Sequence, residues 1–180
     1  MSPEDDMNDN NPSLLPDVVT STAEAASETL EEGHWGGSWK VLTPAMRRRG
    51  GSLGVVEMRL EKGHASCPFH WHTREDEVFY VLSGRGVLRY GEELRELGPG
   101  DCVACPAGTQ VAHQLANPFD ETLVYLAIGP HDPHEVCGYP DSGKVFVRAT
   151  RTIGRLEGGD YMAGEPEEPP ALSLWRARAK

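Results

Sequence analysis

From Trp35 onward the chain breaks into short runs dominated by β-branched, aromatic and other apolar residues: SWKVL, LGVVEMRL, EVFYVL, GVLRY, DCVAC, QVAHQL, TLVYLAI and KVFV. Such runs read as strands. The breaks between them carry turn formers, among them Ser83-Gly84, Gly98-Pro99-Gly100-Asp101 and Asn117-Pro118, which supply left-handed backbone, a fixed φ or a side chain that bonds its own turn. No helical pattern long enough for a parallel crossover lies between the runs. The pattern predicts an all-β, antiparallel barrel or sandwich over residues 38–149.

The flanks differ in texture. Residues 1–17 (MSPEDDMNDNNPSLLPD) offer almost nothing to pack and read as a disordered acidic arm. Residues 18–37 form a helical or linker segment, in which TAEAASETLEE (22–32) predicts a short helix with Ser21 or Thr22 as N-cap and Gly33 as its stop. After Ala149 the strand pattern fades, and residues 150–180 read as a tail that packs back through Leu156, Tyr161, Leu172 and Trp175. The overall hydrophobic fraction is only 38%, but these polar flanks dilute it, and the middle holds enough for one core.

Charge narrows the choice of partners. A formal net charge of −11 argues against a nucleic-acid partner. The run Arg47-Arg48-Arg49 is read as a solvated loop before a strand. No apolar run approaches the ~20 residues of a membrane span, and no basic-then-hydrophobic start marks an export signal. A cytoplasmic protein with reduced cysteines is expected, with no membrane partner.

The stretch His70-Trp71-His72-Thr73-Arg74-Glu75-Asp76-Glu77-Val78-Phe79-Tyr80-Val81 carries the most chemistry. Side chains alternate along a strand, so His70 and His72 share a face and Trp71 takes the other. The polar Thr73–Asp76 segment reads as a turn, after which Glu77, Phe79 and Val81 share one face of the next strand. If that strand pairs back on the first, Glu77 comes level with both histidines. His113 follows Gly100-x5-Pro106-x-Gly108 on a later strand. Three imidazoles and a carboxylate converging inside a barrel suit a divalent transition metal.

These residues resemble the cupin superfamily, whose first motif reads G-x5-H-x-H-x3–4-E-x6-G and whose second reads G-x5-P-x-G-x2-H-x3-N. His70-x-His72-x4-Glu77-x6-Gly84, Gly100-x5-Pro106-x-Gly108 and His113-x3-Asn117 match. Gly63 stands one residue too early, and four residues separate Gly108 from His113 where the motif has two. An insertion of two keeps strand parity, so His113 should still face inward. The resemblance covers roughly residues 38 to 149 and implies a jelly-roll, a double-stranded β-helix. It also implies one ion (zinc, manganese, iron, cobalt or nickel) on His70, His72, Glu77 and His113. The H-W-H run with Tyr139-Pro140-Asp141-Ser142-Gly143-Lys144 is similar to small single-domain bacterial cupins, and EVFYVLSGRGVLRYG to mannose-6-phosphate-isomerase-like proteins.

Other residues invite blander readings. Glu75 and Asp76 could compete with Glu77, but Glu77 keeps the family register, and Asp76 is cast either as a carboxylate orienting a histidine or as a solvated turn acid. Cys102 and Cys105 are three apart on a strand and should diverge, which argues against a thiol pair. Cys67 could edge the pocket or be plain structure. His131 and His134 read as surface loop, and His34 and His64 as solvated. Tyr80, Tyr125, Phe79, Trp71 and Gln114 are candidates to line a cavity, though each is more often core or interface.

Four protein ligands around an octahedral ion leave two open positions for a bidentate molecule or dioxygen. The expected function is therefore a metal-dependent enzyme acting on a small polar molecule, a sugar derivative or a keto or hydroxy acid, by isomerase, lyase or dioxygenase-type chemistry. The alternative is a non-catalytic binding or sensing module for the same molecules. No further residue is assigned as catalytic. Val78, Tyr80 and Leu82 on the outer face, with Trp35, Trp39 and Trp175 in flanking segments, predict a homodimer.

Overall fold

The computed structural model describes residues 18–48 and 50–178. The acidic arm expected over residues 1–17 lies outside them, as do Arg49 and the side chain of Arg47 in the basic run.

Fourteen strands are present among the described residues: β1 (Glu28–Glu32), β2 (Trp35–Val41), β3 (Leu53–Leu60), β4 (His64–Ala65), β5 (Trp71–His72), β6 (Glu77–Ser83), β7 (Gly86–Tyr90), β8 (Glu93–Leu97), β9 (Cys102–Cys105), β10 (His113–Asn117), β11 (Leu123–Pro130), β12 (Val136–Tyr139), β13 (Lys144–Val147) and β14 (Thr152–Gly154). Two short helices, α1 (Pro44–Arg48) and α2 (Pro170–Arg178), and a 3-10 turn at Arg148–Thr150 also lie among the described residues. The large sheet runs β8-β7-β10-β4-β2-β3-β11-β6-β9, with β1 added to β2, and a small sheet runs β14-β13-β12-β5.

The eight apolar runs all become strands. Along β6 the expected alternation holds: Phe79 and Val81 are buried while Tyr80 and Leu82 are exposed. Leu60, Leu115, Leu123 and Tyr125 join Phe79 and Val81 in one core cluster. At the turn after β6, Gly84 takes a left-handed φ of 72°, and a Cβ there would collide with the Thr122 carbonyl. Asn117 is almost fully buried. Its amide donates to the Leu60 and Glu121 carbonyls, both at 2.8 Å, while its side-chain oxygen accepts from the Phe119 N–H at 2.9 Å. It therefore secures a turn.

Two expectations fail. The helix expected over residues 22–32 is absent, and Glu28–Glu32 forms β1, in register with β2 from Glu28↔Trp39 to Glu32↔Trp35. TAEAASETLEE has no apolar stripe to anchor a helix, whereas Gly33, at φ 61°, opens a two-residue hairpin loop, where glycine is favoured at the first position. The tail does not pack back: Leu156, Tyr161, Leu172 and Trp175 are all exposed, Tyr161 at 95%. β14 adds to the small sheet, so strand structure runs to Gly154 rather than stopping at Ala149.

Candidate metal centre

His70, His72, Glu77 and His113 come together, with their candidate ligand atoms all within 4.8 Å of one another. Each arrives by a different route. His70 and His113 are joined by an antiparallel bridge, with His70 N–H donating to the His113 carbonyl at 3.2 Å and His113 N–H to that of His70 at 2.8 Å. His72, two residues on, pairs instead with Cys137 of β12. The chain passes from the large sheet to the small one between these two histidines.

Glu77 does not arrive by pairing of β6 with β5, as the sequence suggested. β6 pairs with β11 and β9, where Glu77 stands opposite Cys105. β5 is only two residues long and is occupied by β12, so no direct pairing with β6 is needed to bring Glu77 into place. The inward placement expected of His113 holds, since it is only 2% exposed, although not through strand parity. The strand begins at His113 rather than at Gln110, which has a left-handed φ of 58° and so belongs to the preceding turn.

The donor atoms are spaced as ligands of one ion should be. His70 Nε2 lies 3.0 Å from His72 Nε2, His113 Nε2 lies 2.9 Å from Glu77 Oε2, and His72 Nε2 lies 3.5 Å from the same oxygen. Two donors each about 2.1 Å from a shared ion and at right angles stand ~3.0 Å apart. The imidazoles are also oriented for this role. His70 Nδ1 faces the Pro68 carbonyl at 2.9 Å, a contact that keeps the proton on Nδ1 and the lone pair on the inward Nε2. The donor set fits a divalent transition metal.

Electrostatics separates His70, His72 and Glu77. Burial, reinforced by His113 and His72, pulls His70 down to about 4. Burial also opposes the charged form of His72, but the Cys137 thiol and Glu77 outweigh it and push that imidazole up to about 10. Burial likewise acts against the Glu77 carboxylate, but hydrogen bonds from His113 and His72 hold it down at about 2.

Around the four, the Phe79 ring lies 5.7 Å from that of His113, and the Tyr139 ring stacks at 5.9 Å on His70. Burial pushes the Tyr139 phenol up to about 12. The other cavity candidates sit elsewhere. Tyr125 is core and Tyr80 faces outward, Trp71 covers Gly138 on the other face of β5, and Gln114 donates to the Cys67 carbonyl at 2.8 Å. Cys102 is exposed and Cys105 buried, so those thiols diverge as expected, and all four cysteines are free. Cys67 does edge the site, its Sγ 3.6 Å from His70 Nδ1. His131 and His134 are exposed.

Glu75 is a buried residue held by Arg148, and Asp76 accepts from Ala107 N–H at 2.9 Å, so neither joins the donor set. Sequence reasoning missed Glu135, Cys137 and Arg148. Glu135 and Cys137 are buried beside His72, and their spacing of two repeats the pattern of His70 and His72. Only the pairing of β12 with β5 reveals what they face.

Residues 56–129 match the Cupin_2 family, described as a cupin domain, so this stretch of the chain is a cupin domain. It is 25% identical over 132 residues to quercetin 2,3-dioxygenase of Bacillus subtilis, a match covering 69% of this chain and 39% of that relative, so the chain spans about two-fifths of that protein. A solved cupin-superfamily sugar phosphate isomerase of Silicibacter pomeroyi superimposes with a TM-score of 0.66 at 26% identity, over 79% of this chain and 96% of its own. An Acidithiobacillus ferrooxidans protein provisionally described as a sugar phosphate isomerase shares the fold, with a TM-score of 0.67 at 24% identity over 86% and 98% of the two chains.

Proposed function

We propose that the protein is a metal-dependent enzyme in which His70, His72, Glu77 and His113 hold one divalent transition metal, and that it acts on a small molecule with adjacent oxygen donors. The observation that carries this reading is the convergence of four donor atoms at ligand-like separations inside the barrel. A divalent ion so held would supply a Lewis acid for a hydroxy-keto, enediol or keto-acid fragment.

The chain's own residues then have separable tasks. Glu77 would offset part of the ion's charge and His72 would bind it from the small sheet, while His70 and His113 would hold it to the large sheet. Tyr139, stacked on His70 and protonated at neutral pH, can donate a hydrogen bond to an oxygen bound beside it. The names of the relatives (a quercetin dioxygenase and sugar phosphate isomerases) fit isomerase, lyase or oxygenase chemistry on such molecules.

The test is to load the protein separately with manganese, iron, nickel and zinc. Each form is incubated with sugar phosphates, keto acids and catechols, and products are followed by mass spectrometry. Metal-dependent turnover of one class is expected. Tight metal-dependent binding without product would establish the second reading, a binding or sensing module.

A further inference from the structure

The three histidines differ in what lies behind them. His70 has a neutral carbonyl at its outer nitrogen. The outer nitrogen of His72 is enclosed by three groups: Cys137 Sγ at 3.6 Å, Glu75 Oε2 at 3.7 Å and Glu135 Oε1 at 3.8 Å. An N–H can donate to only one of these at a time, and the carboxylates stand beyond ordinary hydrogen-bond range. What they supply is negative potential at a fixed place.

Both acids are buried and held rigidly. Glu135, 0% exposed, accepts from Thr73 N–H at 2.6 Å, from the Thr73 hydroxyl at 2.9 Å and from Arg74 N–H at 2.9 Å. Glu75 accepts from Asp132 N–H at 2.6 Å and from both terminal nitrogens of Arg148. Cys137 is fixed by its register opposite His72.

The charges do not balance within the protein. Glu75, Glu77 and Glu135 face the site with one guanidinium, Arg148, among them, while Arg74 and Asp132 neutralise each other nearby. With the histidines neutral, as metal ligands must be, two formal negative charges remain, the amount a divalent ion cancels. Buried acids left without such compensation are costly.

We infer that Glu135 and Glu75 are positioning residues for the metal: through His72 they keep Nδ1 protonated and Nε2 electron-rich, and so set the affinity for a divalent ion. This rests on the metal-centre reading above. Acids of this kind behind a ligating imidazole typically carry a 10–100-fold share of metal affinity.

The experiment is a double-mutant cycle on cobalt(II) affinity, measured by competition with a chromophoric chelator, with the visible d–d spectrum recorded on each form. Glu135→Gln is expected to weaken cobalt binding by about 10–100-fold in the otherwise native chain and to shift the spectrum. In a His72→Ala background the same substitution should change affinity by no more than about twofold, because the residue it acts through is gone. An equal loss in both backgrounds, or no loss in either, overturns the inference. Should Glu135→Gln fail to fold, Glu75→Gln read in the same two backgrounds carries the test. A native chain that takes up no cobalt at all would instead sink the metal-centre reading itself.

Discussion

Without an ion, His72 and Glu77 face each other as a charged pair, one held up at about 10 and the other down at about 2. A metal must displace the His72 proton, and proton competition therefore persists well above the free imidazole range near 6.5. Apparent metal affinity should rise across pH 7 to 9, approaching tenfold per unit, with about one proton released per ion at pH 8. Competition titrations in weakly buffered indicator solution read both, and affinity flat over that window would refute the account. The sequence alone would place the fall only below about pH 6. The same shifts govern stability of the metal-free form. The His72 contribution is complete below 6.5 and is lost as pH rises toward 10. His70, held at about 4, subtracts stability as pH falls from 6.5 toward 4, because only the unfolded chain takes up its proton there. Glu77 adds a further loss toward 2. Melting temperature should therefore fall on both sides of neutrality. His72→Ala should lose about one metal equivalent on purification by elemental analysis, keep only weak binding of added cobalt, and leave a folded barrel, since His72 lies outside the core cluster.

At the scale of elements, the site depends on how the small sheet docks. β12 supplies the partner of β5, and the segment after β13 supplies Arg148, whose guanidinium grips Glu75 and the Asp132 carbonyl. Arg148→Met would leave the buried Glu75 without its cation and held by the Asp132 N–H, and breaking a buried pair in this way costs about 3 kcal/mol. Denaturant midpoints should drop accordingly, with metal affinity falling as well. A change below about 1 kcal/mol would mean water reaches Glu75 freely. The element boundaries also explain which parts of the sequence were readable. Strands such as β3, β6 and β11 show alternation or long apolar runs and were evident. β5 is two residues long, and β1 is wholly exposed, so neither leaves a periodic trace.

For the whole molecule, the described part of the tail beyond Gly154 is exposed throughout. Its removal should leave the melting temperature within about 2 °C, since it buries nothing that would shift it. A larger drop would show that the tail is covered in solution. The proposed homodimer would cover the outer face of β6, where Tyr80 and Leu82 are exposed, together with Trp35. Light scattering should give twice the chain mass at micromolar concentration, and Leu82→Glu should shift it toward the monomer. A clean monomer for the native chain would end that proposal. Among the described residues no helix is long and apolar enough to cross a membrane.

The all-β class, the inward face of β6 and the convergence of His70, His72, Glu77 and His113 were legible in the sequence, because alternation and motif spacing are local properties of a pleated chain. His113 stayed inward despite two inserted residues because they fall before β10, which begins at His113 itself. Tertiary structure alone decided that Glu77 arrives through β6 paired with β11 and β9, and that Glu28–Glu32 joins the sheet. It alone showed that Glu75, Glu135 and Cys137 stand behind His72. Glu135 and Cys137 stand about sixty positions from the residues they meet, and which strand adds to which edge depends on the packing of the whole chain, which local periodicity does not encode.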